Sequence, residues 1–393
     1  MSDIPRVFWI EADQPQSARW RSGAGLPPPS RVIVADDSMT ADSAFRLASE
    51  GTAILWRGDF QNARQLLQAI ARRIDKPPRR VRKKSDAPAT PLALFNAYRQ
   101  AQSQRARTLG MLLLPIGAGY VVPLRRAPDL HEACTQAYGP AGAGADADAA
   151  GTDSVASLRE IQGLIGAYEW RRKGVEVAAL GARIHPHYGV FAPIRNEYVA
   201  LVAETALPST ALAFDIGTGT GVLAAVLAQR GVARIVATDL DERAIACARD
   251  NIERLGLHDR VTVERADLFP NGRAPLVICN PPWLPARPSS PLEHAVYDPD
   301  SRMLHGFLGG LAAHLTPGGE GWLILSDLAE HLGLRTRVAL LEMIDCAGLR
   351  VLGRNDVRPQ HPRASDTTDP LHAARASEVT SLWRLAAKPS ATA

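Results

Sequence analysis

The sequence predicts an α/β chain in two parts: a wound parallel sheet in the C-terminal half and a smaller α/β accessory domain before it. Three observations carry this. From Ala211 onward, apolar runs of strand length alternate with segments of helix length. A glycine-rich run, Asp215-Ile-Gly-Thr-Gly-Thr-Gly221, joins the first of these strands to the first helix. A second punctuated segment, Cys279-Asn-Pro-Pro-Trp283, ends a later apolar run.

The C-terminal elements follow in order. Ala211–Phe214 reads as a strand, and Val222–Gln229 as a helix apolar at most positions, hence buried against a sheet. Arg234–Thr238 is the next strand, with Asp239 at its end. Glu242–Leu255 is a helix whose first turn, with Asp241 and Glu242, suits the positive end of its dipole. Val261–Arg265 and Leu276–Cys279 read as strands, Met303–Leu315 as a helix, Pro317-Gly-Gly as a turn and Gly321–Leu325 as a strand. Leu334–Cys346 has helical spacing, and Leu349–Gly353 and Val379–Leu385 are two late strands separated by the long polar connection Asp356–Ser377. Upstream, Ala178–Phe191 reads as a strand pair, and a helix starting within Phe191–Tyr198 runs to about Ala206.

In the N-terminal half, Arg31–Ala35 and Thr52–Trp56 are strands around a helix, Ala41–Ser49. Gln61–Ile74 and Pro91–Leu109 are helices, and Leu109–Leu114 with Tyr120–Leu124 form a hairpin. Gly139–Gly151 holds almost no large apolar residue and has the composition of a flexible linker. The domain plan is residues 1–138 accessory, 139–157 linker and 158–393 catalytic.

The glycine run is the first chemical signal. Glycines between a strand and a helix let backbone approach a ligand, and the helix start aims free N–H groups at it. Gly219-x-Gly221-x-x-Ala224 also fits the dinucleotide fingerprint. Here, however, Asp215 precedes the first glycine. A carboxylate repels a pyrophosphate and attracts an ammonium, which favours a methionine-bearing cofactor over NAD. Asp239 lies about twenty residues past the glycines, where an acid accepts hydrogen bonds from ribose hydroxyls.

Asn280-Pro-Pro-Trp283 is the second signal. Two prolines fix the backbone and leave their carbonyls as acceptors. A conjugated amine is a poor nucleophile because its lone pair is delocalised. The Asn280 side-chain oxygen and the Pro281 carbonyl are two acceptors able to draw its hydrogens and free that pair. Pro282 stiffens the turn, and Trp283 is placed to stack on a flat substrate group. Such chemistry is mostly positioning, with no metal and no strong base.

Residues from about Tyr188 to Ala386, about half of the chain, resemble a class I S-adenosylmethionine-dependent methyltransferase of the small-domain type. The segment is similar to amino-methylating enzymes with an Asn-Pro-Pro-aromatic motif, namely ribosomal RNA guanine and adenine methyltransferases and release-factor glutamine methyltransferases. The resemblance implies a Rossmann-like seven-stranded methyltransferase sheet closed by the two late strands as an antiparallel hairpin. It implies S-adenosyl-L-methionine as cofactor, with Asp215, Gly217, Gly219 and Gly221 at the methionine part, Asp239 at the ribose and Asp267 at the adenine. Thr218, Leu240 and Leu268 join the cofactor-binding set, as does Asn280. Asn280, Pro281, Pro282 and Trp283 receive the target amine. Tyr or Phe is commoner where this chain has Trp283, which leaves the subfamily open. Some RNA guanine methyltransferases carry a degenerate duplicate of the catalytic domain in the N-terminal position; no glycine loop in this N-terminal half supports that.

Composition sets the remaining bounds. A chain of 393 residues makes two domains, sometimes three. Its four cysteines, Cys134, Cys247, Cys279 and Cys346, show neither CxxC pairing nor zinc spacing, which fits a reducing cytoplasm. The start shows no basic-plus-apolar signal, and no apolar run reaches membrane-spanning length. His185 and His187 lack partners at metal-ligand spacing. A net charge of +4 is only mildly basic, but Arg72, Arg73, Arg79, Arg80, Arg82, Lys83 and Lys84 fall in one run. Arg105, Arg107, Arg125, Arg126, Arg171, Arg172 and Lys173 follow it. Such charge tracks a phosphate backbone or simply solvates a linker. Arg195 is a helix-surface charge or a contact to a phosphate or the cofactor carboxylate. The expectation is N-methylation of an exocyclic amine, in RNA through the basic segment; the rivals are a protein glutamine amide and an NAD-dependent oxidoreductase.

Overall fold

The structure is a computed structural model that describes residues 4–76, 90–141, 154–288, 293, 295–359 and 366–389. Two compact units divide the chain: residues 1–88 with 97–169, and residues 89–96 with 170–393.

The first unit holds β1 (Arg6–Glu11), β2 (Gln14–Trp20), β3 (Val32–Ala35), α1 (Ala41–Ser49), β4 (Ala53–Trp56), α2 (Phe60–Ile74), most of α3 (Pro91–Leu109), β5 (Leu112–Ile116), α4 (His131–Tyr138), β6 (Ser154–Ser157) and the larger part of α5 (Leu158–Lys173). Its six strands run in the order β1-β2-β6-β5-β4-β3. β4 is buried at all four positions, as a central parallel strand must be. Asp59, 1% exposed, caps α2 through Gln61 N–H at 2.8 Å and pairs with Arg126 at 2.7 Å, which holds its carboxyl down at about 2.

Two expectations are corrected here. Tyr120–Leu124 is no strand; a 3₁₀ turn at Ala118–Tyr120 and Pro123 exclude it, and β5 pairs antiparallel with β6 instead. The linker expected over 139–157 ends earlier, because 154–157 is β6, an inner strand of the sheet. The rest of that linker lies mostly outside the described residues. The hairpin of β1 and β2 had no clear sequence signal: Phe8 and Ile10 face solvent, so apolar residues occupy both faces of β1.

The second unit contains β7 (Val175–Val177), β8 (Ala182–Ile184), α6 (Glu197–Glu204), β9 (Leu212–Ile216), α7 (Val222–Gln229), β10 (Arg234–Asp239), α8 (Glu242–Arg254), β11 (Val261–Arg265), β12 (Ala274–Cys279), α9 (Arg302–His314), β13 (Leu315–Ser326), α10 (Leu328–His331), α11 (Arg337–Cys346), β14 (Leu349–Val357), α12 (His372–Ser377) and β15 (Thr380–Ala387). Its seven-stranded sheet runs β11-β10-β9-β12-β13-β15-β14, with β15 antiparallel to both neighbours. This is the expected Rossmann-like sheet and its closing hairpin. The first unit's strand order does not repeat it.

The packing follows from composition. β12 and α7 are almost wholly buried, and apolar clusters cover both faces of the sheet, one with α6, α7 and α8, the other with α9 and α11. Pro317-Gly-Gly lies inside β13, where the pairing with β12 shifts register, so the expected turn is an irregularity within a longer strand. From β9 the chain winds outward through β10 to β11, then returns to β12 on the other side. That reversal opens a crevice at the carboxyl ends of β9 and β12.

Candidate active site

Both sequence motifs sit on that carboxyl edge. Asp215 is the penultimate residue of β9 and 1% exposed. Its Oδ2 accepts from Thr218 Oγ1 at 2.6 Å and from Ala224 N–H at 3.1 Å, so one oxygen closes the glycine loop onto the start of α7. Burial outweighs these bonds and pushes its pKa up to about 6. Gly217, at φ 70°, permits a close approach: a Cβ there would collide with Met303 Cε. Gly219, at φ 56°, has open space where its Cβ would be, which leaves room for a ligand. Gly221 is the N-cap of α7.

Asp239 ends β10. Its Oδ2 accepts from Gly219 N–H and its Oδ1 from Asp241 N–H, both at 3.0 Å. Burial raises its pKa against these bonds. The carboxylate therefore ties the second strand to the glycine loop. Leu240 beside it is 48% exposed, an apolar surface at the edge. Leu268 takes φ 78°, and its carbonyl accepts from Thr238 Oγ1 at 2.5 Å, which fixes the loop after β11. Asp267 is exposed and pairs with Arg302 at 3.1 Å.

Asn280 follows β12. Its side chain meets Trp283 Nε1 at 2.9 Å. An indole N–H only donates, so the atom facing it is Oδ1, and one lone pair of that oxygen remains. Pro281 is buried; Pro282 and Trp283 are half-buried. The Trp283 ring packs against both core clusters. The ring expected to stack on substrate thus also orients the Asn280 amide, a role the sequence did not suggest.

Residues without a motif complete the edge. Asp298, 7% exposed, accepts from Met303 N–H at 2.8 Å. Arg195, expected at a helix surface, a phosphate or a cofactor, lies 3.5 Å from buried Glu378, whose Oε1 also accepts from Ser326 Oγ at 2.7 Å. Ser326 ends β13, so these groups share the same edge. Of the connections around them, the long polar stretch Asp356–Ser377 next to Glu378 gives the sequence hint.

Several expected charges are engaged elsewhere. Arg105 pairs with Asp75, and Arg125 and Arg126 with Asp59. Arg73 donates to Asp42 at 2.7 Å, and Arg72 is in the last turn of α2. Arg79, Arg80, Arg82, Lys83 and Lys84 lie outside the described residues. His187 Nε2 is 3.1 Å from Asp250, and His185 N–H donates to Asn251, so the histidine segment clamps onto α8. Among the described residues no group of His, Cys, Asp or Glu is arranged to hold a metal ion, and no helix is long and apolar enough to cross a membrane.

Residues 200–281 match the family model described as Ribosomal protein L11 methyltransferase (PrmA). The tRNA1(Val) (adenine(37)-N6)-methyltransferase of Vibrio parahaemolyticus is 39% identical over 95 residues, 23% of this chain and 40% of that protein. The release factor glutamine methyltransferase of Cereibacter sphaeroides is 31% identical over 169 residues, 39% of this chain and 58% of that protein. The chain therefore spans about half the length of these two curated relatives. A solved ribosomal protein L11 methylase from Lactobacillus delbrueckii subsp. bulgaricus is 16% identical, with a TM-score of 0.36, covering 51% of this chain and 82% of that one. Within the second unit, residues 200–281 are similar to a methyltransferase family, and they lie on a sheet whose strand order is the expected Rossmann-like one.

Proposed function

We propose that this protein is an S-adenosylmethionine-dependent N-methyltransferase acting on an exocyclic amino nitrogen of a base in RNA. One observation carries the reading: Asn280, oriented by Trp283, stands at the end of β12 beside β9, whose glycine loop is locked by Asp215 and Asp239. The adenine-N6 relatives support a base as target, and the basic run ending at Lys84 supports an RNA partner. A recognition role for the N-terminal unit and a cytoplasmic location belong to the same reading.

The residues present fit the cofactor. Gly219 offers an open cradle, Asp215 supplies a buried carboxyl for an ammonium, and we assign the ribose to Asp239 and the adenine to Leu240, Asp267 and Leu268. When bound, the cofactor supplies an electrophilic methyl on a sulfonium. The chain's part is to hold the acceptor. Asn280 Oδ1 and the Pro281 carbonyl take the two amine hydrogens, turning the nitrogen toward tetrahedral geometry. Trp283 keeps Asn280 from rotating away. Exclusion of water and fixed orientation supply the rate.

The release-factor relative favours a second reading, methylation of a glutamine amide, which is a conjugated nitrogen of the same kind. Transfer of labelled methyl into an extract lacking this enzyme separates them. Nuclease-sensitive label is expected. Protease-sensitive label replaces the RNA reading with the glutamine one, and no label in either fraction removes both.

A further inference from the structure

Asp298 joins the two motif segments, although neither motif includes it. Its N–H donates to Leu284 O at 2.9 Å, and Leu284, directly after Trp283, pairs with Tyr297. Its Oδ2 accepts from Met303 N–H at 2.8 Å and Leu304 N–H at 3.4 Å, capping α9. α9 in turn sets Met303 Cε against Gly217 in the glycine loop. One buried carboxylate is therefore fixed between the turn that receives the amine and the loop that holds the cofactor.

The cap of α9 comes from outside the usual N-cap position. Ser301 occupies the N-cap position of α9 and makes no side-chain cap bond. The chain instead brings Asp298 back from upstream through Asp300 and Ser301, both in the left-handed region at φ 56° and 52°. Two successive non-glycine residues there cost conformational energy, and such strain recurs at functional sites. Two of the cap bonds fall on Oδ2, and the Arg302 backbone N–H and guanidinium also act on this carboxylate. Burial raises the Asp298 pKa, and its charge, with those of Asp215 and Asp239, bears on the Cys279 thiol just before Asn280.

We propose that Asp298 is an electrostatic positioning residue for the transferable methyl, favouring the charged cofactor S-adenosylmethionine over its neutral product S-adenosylhomocysteine. The inference rests on the cofactor assigned under the proposed function. The physical reason is simple. When the S–C bond breaks and the N–C bond forms, sulfur keeps the electron pair and loses its positive charge. The amine proton leaves to solvent. A desolvated anion close to the methyl-transfer position would attract the substrate form and would have no such attraction for the product.

The test is calorimetric titration of both ligands into the wild type, Asp298→Asn and Asp300→Asn. Asparagine keeps an oxygen for the α9 cap and removes the charge. Asp300 is exposed and two residues away, so it controls for net charge. Asp298→Asn is expected to weaken S-adenosylmethionine about tenfold while S-adenosylhomocysteine changes about twofold or less. Asp300→Asn should leave the ratio alone. Equal weakening of both ligands, an unchanged ratio, or an equal shift in Asp300→Asn overturns the inference. If the wild type binds neither ligand, the cofactor reading itself fails; if it binds both and only the ratio test fails, that reading stands.

Discussion

The Asn280 amide has its oxygen committed on one side to Trp283, and this makes a residue-level mechanism testable. Asn280→Ala should lower turnover by about 100-fold or more while S-adenosylhomocysteine still binds, as read by calorimetry. Trp283→Phe keeps an aromatic ring and loses the 2.9 Å bond; turnover should fall about tenfold with cofactor affinity unchanged. Normal turnover in Asn280→Ala removes the amine-positioning scheme. Asp239→Ala should weaken S-adenosylhomocysteine about tenfold or more, because it removes the proposed ribose acceptor together with the clamp on Gly219.

Asp215 adds a pH dependence. Its folded pKa, raised to about 6, lies above that of an exposed carboxyl. Its contribution to stability without ligand is therefore fully present below the ordinary carboxylate range and is lost as pH rises through about 6. A bound ammonium favours the ionised form, so S-adenosylhomocysteine affinity should climb over that interval. A flat affinity profile from about pH 5 to 7.5 rules out a charged Asp215 in binding.

At the scale of elements, the strand–loop–helix unit of β9 and α7 depends on one missing side chain. Gly217→Ala places a Cβ at φ 70° against Met303 Cε. The substitution should cost about 1–3 kcal/mol in chemical denaturation, with loss of cofactor binding. Met303 Cε can move aside, so the cost comes from the left-handed backbone, and a variant as stable as the wild type denies that backbone at Gly217. Most elements of this unit were legible because the pattern is local: β9, β10 and β12 are short, mainly apolar runs, β11 begins with alternating valines, and α8 has one apolar face. The failures have physical causes. β6 is four residues long and gains stability only by pairing with β5 and β2, partners far away in sequence. Tyr120–Leu124 has strand-like residues, but its backbone goes to a 3₁₀ turn.

At the scale of the whole molecule, Arg105, Arg125 and Arg126 pair with carboxylates of the first unit, yet the Arg125 and Arg126 side chains stay 79% and 60% exposed. The run from Arg79 to Lys84 is the candidate that the composition marks for phosphate contact. Replacing Arg79, Arg80, Arg82, Lys83 and Lys84 by alanine should reduce RNA affinity, flatten its salt dependence and leave S-adenosylhomocysteine binding intact. An unchanged salt slope makes that run a linker.

The sequence by itself determined the α/β class, the succession of strands and helices along the second unit and the two motifs, because periodicity and glycine–proline punctuation act locally; the seven-stranded sheet was implied by the family resemblance. Only the tertiary structure decided that Asp215 turns inward to lock its loop, that Trp283 orients Asn280, and that Asp298 and Met303 reach both motifs. Those contacts join residues whose separation along the chain carries no period. They follow from which strand ends the winding of the sheet brings together, and from the cost of burying a carboxylate unless a backbone N–H is there to meet it.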